Sequence, residues 1–212
     1  MHMLEYTEYT KMLIGLIAIV NPIGAVPIFI SLTHGYKQSE RYAISKTATY
    51  AVFIILIFSL TAGEIILNFF GISISSFRVA GGILILLMAI SMMHAKTNGI
   101  KRTEEEERES ENLDSIAVVP LAIPLLAGPG AISTVILYAH KSTGLMHHLI
   151  IGLVILTVSL SLFLIFKSIP YISKYLSQTA VNIFARIMGL ILAAIAIEFI
   201  ANGLKGLFPN LI

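Results

Sequence analysis

The sequence predicts an all-α integral membrane protein: six transmembrane helices forming two inverted three-helix repeats, with the first and fourth spans discontinuous. Three observations carry this. The 212 residues are 57% apolar and only 12% charged, where soluble domains hold about a quarter charged residues, and mean hydropathy is +0.89. The charges sit between long apolar stretches, each near the roughly 20 residues that cross about 30 Å of hydrocarbon. Two of those stretches, one in each half, carry matching Pro and Gly interruptions.

The apolar segments fall at 12–32, 47–69, 72–93, 116–139, 149–167 and 180–203. The residues before the first carry Glu5 and Glu8 and no basic cluster, so this segment reads as a retained span rather than a cleaved signal. The second, third, fifth and sixth segments are rich in Ile, Leu, Phe and Ala, with scattered Ser and Thr that can bond back to their own helix. The first contains Asn21-Pro22-Ile23-Gly24-Ala25-Val26-Pro27, and the fourth Pro124-Leu125-Leu126-Ala127-Gly128-Pro129-Gly130-Ala131. Proline removes a backbone donor and clashes with the preceding turn, and glycine loosens the helix further. Broken backbone at membrane depth is tolerated only where it is buried in protein or lines a wet cavity.

Orientation follows from Lys and Arg in the short loops. One side collects Lys11, Lys141 and Lys205. The other collects Lys37, Arg41, Lys46, Lys96, Lys101, Arg102, Arg108, Lys167 and Lys174. The bias places both termini outside a plasma or inner membrane. The hydrophilic stretch 96–115, with its run Glu104 to Glu107, reads as a charged cytoplasmic linker between a first repeat (1–95) and a second (116–212).

The halves match internally. Ile23-Gly24-Ala25-Val26 aligns with Pro129-Gly130-Ala131-Ile132, and Arg78-Val79-Ala80-Gly81 with Arg186-Ile187-Met188-Gly189. The two offsets are nearly equal. Each half has an odd number of spans, so the second enters from the opposite side, as an inverted repeat with a pseudo-two-fold axis in the membrane plane. Broken helices at corresponding positions are the best sequence pointer to a midplane site, and such repeats suit alternating access.

An unwound span exposes free N–H groups at the start of one half-helix and free carbonyls at the end of the other. The first suit a carboxylate, the second an ammonium. A small α-amino acid carries both groups. Candidate binding residues are Asn21, Pro22, Ile23, Gly24 and Ala25 at one break, and Ala127, Gly128, Pro129, Gly130, Ala131, Ser133 and Thr134 at the other. Small residues and neutral polar groups favour a small, neutral or mildly polar substrate.

These two motifs, six spans and a length near two hundred residues resemble the MarC family, also called the neutral amino acid transporter family and related to LysE-type amino acid exporters. The resemblance covers essentially the whole chain. It implies transport of small neutral amino acids such as glycine, alanine, serine or threonine. It leaves substrate and direction open.

Charged residues within spans are gating or coupling candidates: Glu64, Arg78, Arg186 and Glu198. Glu64 is a plausible partner for Arg78. Glu198 has Ile90 at its repeat equivalent, and intramembrane acids are default candidates for proton relays. His34, His94, His140, His147 and His148 read as interfacial, without metal-site spacing. The chain has no cysteine, which excludes disulfides and thiolate metal sites. A net charge of +2 does not suggest nucleic acid. No phosphate-cradling motif appears, and no cluster of acids, His or nucleophiles lies within spans, so neither ATP-driven transport, an intramembrane enzyme nor a cofactor is expected. The expected partners are the substrate and the lipid bilayer, with a proton as one candidate for a coupling ion that the sequence leaves open. An exporter, or a passive channel or facilitator for other small solutes, is the alternative, and oligomeric state stays open.

Overall fold

The computed structural model describes residues 4–33, 35–94, 122, 126–172 and 178–209. Among them the chain forms seven helices and no strand: α1 (Tyr6–Val20), α2 (Val26–Leu32), α3 (Gln38–Phe69), α4 (Ile74–Met93), α5 (Pro129–His140), α6 (Leu145–Ile172) and α7 (Gln178–Leu207). Helices α3, α4, α6 and α7 are long and apolar enough to cross a membrane. The first apolar segment is divided between α1 and α2. Helix α5 holds the second half of the fourth segment. The linker 96–115, the start of the fourth segment, and His34 lie outside the described residues.

Helices overrun the apolar segments where polar residues continue them. Helix α3 begins nine residues before the apolar stretch, at Gln38, because the Glu40 carboxylate accepts from the Lys37 backbone N–H at 2.7 Å and caps the first turn. At 32 residues it is about 48 Å long at 1.5 Å per residue, so one end stands clear of the hydrocarbon. Apolarity marks the depth of the bilayer, not the helix end.

The broken segment runs as one path beside α6. Tyr9 near the start of α1 meets His147 near the start of α6, with ring centroids 5.6 Å apart. Phe29 in α2 stacks on Phe166 near the end of α6 at 4.5 Å. Between these contacts α6 covers about 28 Å at 1.5 Å per residue, close to the thickness of a bilayer core.

Two helices of the first half also pack on their repeat counterparts in the second, α3 on α6 and, most extensively, α4 on α7, while α1 packs on α5. The α4–α7 pair is antiparallel and closely apposed. A Cβ on Gly82 would lie 2.9 Å from the Ala196 carbonyl, one on Gly189 3.0 Å from that of Ala89, and one on Gly203 3.0 Å from that of Ser75. Small residues that let helix backbones approach are the usual basis of helix association in lipid, where apolar burial gives no driving force. The core runs along α1, α3, α5 and α6, with Met12, Leu16, Ile44, Leu56, Ile155 and Phe166 almost fully buried. Outward faces are apolar: α6 exposes Leu149, Leu153, Leu156, Leu160 and Leu164, the large contiguous surface expected of a lipid-facing helix.

Candidate functional site

The first break starts where Pro22 supplies no N–H. The carbonyl of Ala18 then lacks its ordinary helical donor four residues on. Asn21 takes a left-handed conformation, φ 47°, which Asn tolerates better than most residues. Its side chain folds back over the turn. The Oδ1 accepts from the Gly24 N–H at 3.1 Å, and its carbonyl accepts from Ala25 N–H at 3.1 Å. The amide lies so close over Gly24 that a Cβ there would collide with it. The amide Nδ2 also points at the Met92 sulfur in α4, 3.6 Å away. Asn21 is 5% exposed. The first break is thus capped by its own asparagine.

The second break is built differently. Before it, the Ala127 N–H bonds to the Ala122 carbonyl at 2.9 Å, a five-residue spacing that makes a wide turn. Helix α5 then starts with Gly128 as N-cap and Pro129 in the first turn, and no side chain caps it. Proline is preorganised for this position. Because Gly128 has no side chain, the first-turn N–H groups of Gly130 and Ala131 have no side-chain acceptor at the cap. Thr134 bonds back to the Gly130 carbonyl at 2.8 Å. Ser133, one residue earlier, is buried with no hydrogen-bond partner for its hydroxyl among the described residues.

The two breaks are adjacent. A Cβ on Gly130 would lie 3.2 Å from Cγ2 of Ile19, two residues before Asn21, and 2.6 Å from Cγ1 of Ile85 in α4. A Cβ on Gly81 would lie 2.5 Å from the Ser133 hydroxyl. One face of α4, carrying Gly81, Ile85 and Met92, therefore backs both breaks. Pro22, Ala25, Ala127, Gly130, Ala131, Ser133 and Thr134 are buried there and Gly24 and Gly128 half-buried. Ile23 and Pro129, at equivalent positions of the two halves, expose their side chains and bring only main chain to the region.

The charged candidates are elsewhere. Glu64 pairs with His140, its carboxylate 2.9 Å from Nδ1, and not with Arg78 as its depth suggested. Similar depth does not make two residues neighbours, because they can face different sides of their helices. Arg78 is half-buried and Arg186 exposed. Glu198 is also exposed and accepts from the Asn202 side chain at 2.8 Å, one turn along its own helix.

The end of the bundle near the α1 start carries a polar cluster that sequence reading missed. His147 is 1% exposed. Its Nε2 lies 2.9 Å from the Tyr138 carbonyl, an acceptor only, so Nε2 carries a proton, and Nδ1 is 2.7 Å from the Tyr9 hydroxyl. Glu8 bonds both Lys11 and Lys141 at 2.8 Å. These two ammonium groups, Lys11 first, hold its carboxyl down at about 2. The cluster ties α1, α5 and α6 together, and the only sequence signal for it is a set of polar residues at matching span ends.

Residues 6–208 match the family described as MarC family integral membrane protein. The UPF0056 membrane protein YhcE of Escherichia coli is 44% identical over 213 residues, covering 98% of this chain and 97% of that protein. The UPF0056 membrane protein YvbG of Bacillus subtilis is 42% identical over 199 residues, covering 93% and 94%. A UPF0056 membrane protein of Methanocaldococcus jannaschii is 37% identical over 198 residues, covering 93% and 87%. No solved structure matches the chain. With nearly the whole chain matched, including both helix breaks, this protein belongs to the MarC family of integral membrane proteins.

Proposed function

We propose that the protein is a secondary transporter of small neutral amino acids of the glycine, alanine, serine and threonine type. The substrate is held between the two breaks, its carboxylate on the first turn of α5 and its ammonium on the loose carbonyls at the end of α1. One observation carries the reading: the uncapped start of α5 packs against Ile19 beside the broken end of α1. A half-helix N-terminus at mid-bilayer depth is where an anionic group is best received. The buried, unpartnered Ser133 hydroxyl adds a polar group with bonding capacity to spare, and such orphans call for an explanation in a native fold.

The six-span, inverted-repeat architecture is part of the proposal. It is supported by the path of α1 and α2 beside α6 from His147 to Phe166 and by the packing of α3 on α6 and of α4 on α7. Antiparallel packing of α4 on α7 is what two oppositely inserted halves require. The excess of basic residues in three loops supports termini outside a plasma membrane.

Counterflow in proteoliposomes tests the reading. Labelled substrate should accumulate against its gradient when unlabelled substrate is preloaded; a pore gives no such exchange. A panel of labelled amino acids, with and without proton or sodium gradients, identifies substrate and coupling ion. Proton coupling through Glu64 or Glu198 predicts that E64Q or E198Q loses dependence on the pH gradient. A variant that keeps the full dependence removes that residue from the mechanism.

A further inference from the structure

We propose that the groove between α2, α3 and α6 binds the headgroup of an anionic phospholipid, separately from the substrate region. A cavity of about 120 Å³ opens here, lined on its inner wall by Phe29 and Phe166 and at its mouth by Arg41, Tyr42, Lys167 and Tyr171. Two cations line it and no carboxylate does. Among the described residues neither Arg41 nor Lys167 forms an ion pair. The Arg41 Nε donates to the Thr33 carbonyl at 3.2 Å. That bond fixes the guanidinium plane and leaves the terminal nitrogens for a ligand, and the guanidinium fork matches a phosphate.

The surroundings select a lipid over a soluble anion. Leu149, Leu153, Leu156, Leu160 and Leu164 form an exposed stripe along α6. Lys167 and Tyr171 continue the same three-and-four spacing directly into the cavity mouth. An acyl chain lying on the stripe would thus deliver its phosphate to Lys167 and Arg41. Tyr171 is 67% exposed and Tyr42 48%, and both stand where interfacial tyrosines anchor at headgroup level. The cavity takes a phosphodiester and not a whole lipid, so the chains must lie outside on the leucines. Basic pockets between membrane helices receive anionic headgroups in this manner.

The test is native mass spectrometry of the full-length protein in detergent with phosphatidylglycerol or phosphatidylcholine. The wild type should retain one phosphatidylglycerol with a preference of roughly thirtyfold, from about 1 kcal/mol for each of the two basic residues. R41Q/K167Q should lose the preference, and K46Q, an exposed lysine of α3 outside the cavity, should keep it. Equal retention of the two lipids, or an equal loss in K46Q, overturns the proposal. So does displacement of the lipid by millimolar glycerol phosphate, which would make the cavity a soluble-anion site. Should R41Q/K167Q fail to fold, photoactivatable phosphatidylglycerol on the wild type decides: adducts at Tyr42 or along 163–171 support the site, and adducts confined to other helices refute it. None of these readouts depends on transport.

Discussion

The two helix breaks look alike in sequence and differ in chemistry. At the first, Asn21 turns its amide and its carbonyl onto the next N–H groups, so the donors of the turn are satisfied from within. At the second, the equivalent of Asn21 is Ala127, which has no amide, and Gly128 at the cap has no side chain. A break that caps itself has few N–H groups left for an anion and offers a ligand only its loose carbonyls. A break that starts on glycine keeps its positive helix end available. Under the proposed transport function, the substrate carboxylate falls to α5 and Asn21 has a structural task.

The sharpest way to break this asymmetry is to fill the contact between the breaks. G130V should give the largest effect. Its side chain must enter space held by Ile85 and Ile19, overpacking worth about 1–3 kcal/mol, and uptake should fall to background while the protein still reaches the membrane. G128D should come next, with effects of opposite sign. The new carboxylate caps α5 and raises thermal stability by a few tenths of a kcal/mol or more. By occupying the same donors it should weaken substrate binding roughly tenfold or more, about 1.4 kcal/mol.

At the first break the order reverses. N21A should lower stability by about 1 kcal/mol for the lost cap and a further 1–2 kcal/mol or so for the left-handed backbone, read as a fall in melting temperature. N21G should recover the backbone part. Transport by whatever folds should change less than in G128D; a larger loss would move the substrate to the first break. S133A should be smaller again. Removing an unpartnered buried hydroxyl is near neutral for stability, while affinity for the hydroxyl-bearing substrates should drop a few-fold in competition assays.

The smallest effect belongs to Glu8 at the bundle end. Its carboxyl is held at about 2 against an ordinary value of 4.5, so the paired form favours the folded state above about 4.5, and that contribution is lost as pH falls toward 2. The melting temperature of wild type should exceed that of E8Q slightly at pH 7, and the gap should narrow below about pH 4.5 and close toward pH 2.

The breaks were legible in the sequence because proline and glycine act through the backbone, whatever surrounds them. The four spans carried by α3, α4, α6 and α7 were legible because transfer into hydrocarbon depends on composition. What the sequence could not carry was azimuth. Glu64 and Arg78 share a depth, yet Glu64 faces His140. Tyr9 and His147 are 138 residues apart and meet only because α1 lies along α6. The capping by Asn21 was likewise hidden, because it depends on one side chain folding back in a left-handed turn.

The most direct test of the central claim is counterflow of labelled glycine, alanine, serine and threonine in proteoliposomes of wild type and G128D, both checked for folding. Wild type should accumulate at least one amino acid, and a G128D protein that melts no lower should lose that accumulation. No exchange of any amino acid by wild type, or exchange by well-folded G128D equal to that of the parent, would contradict a substrate carboxylate bound at the start of α5.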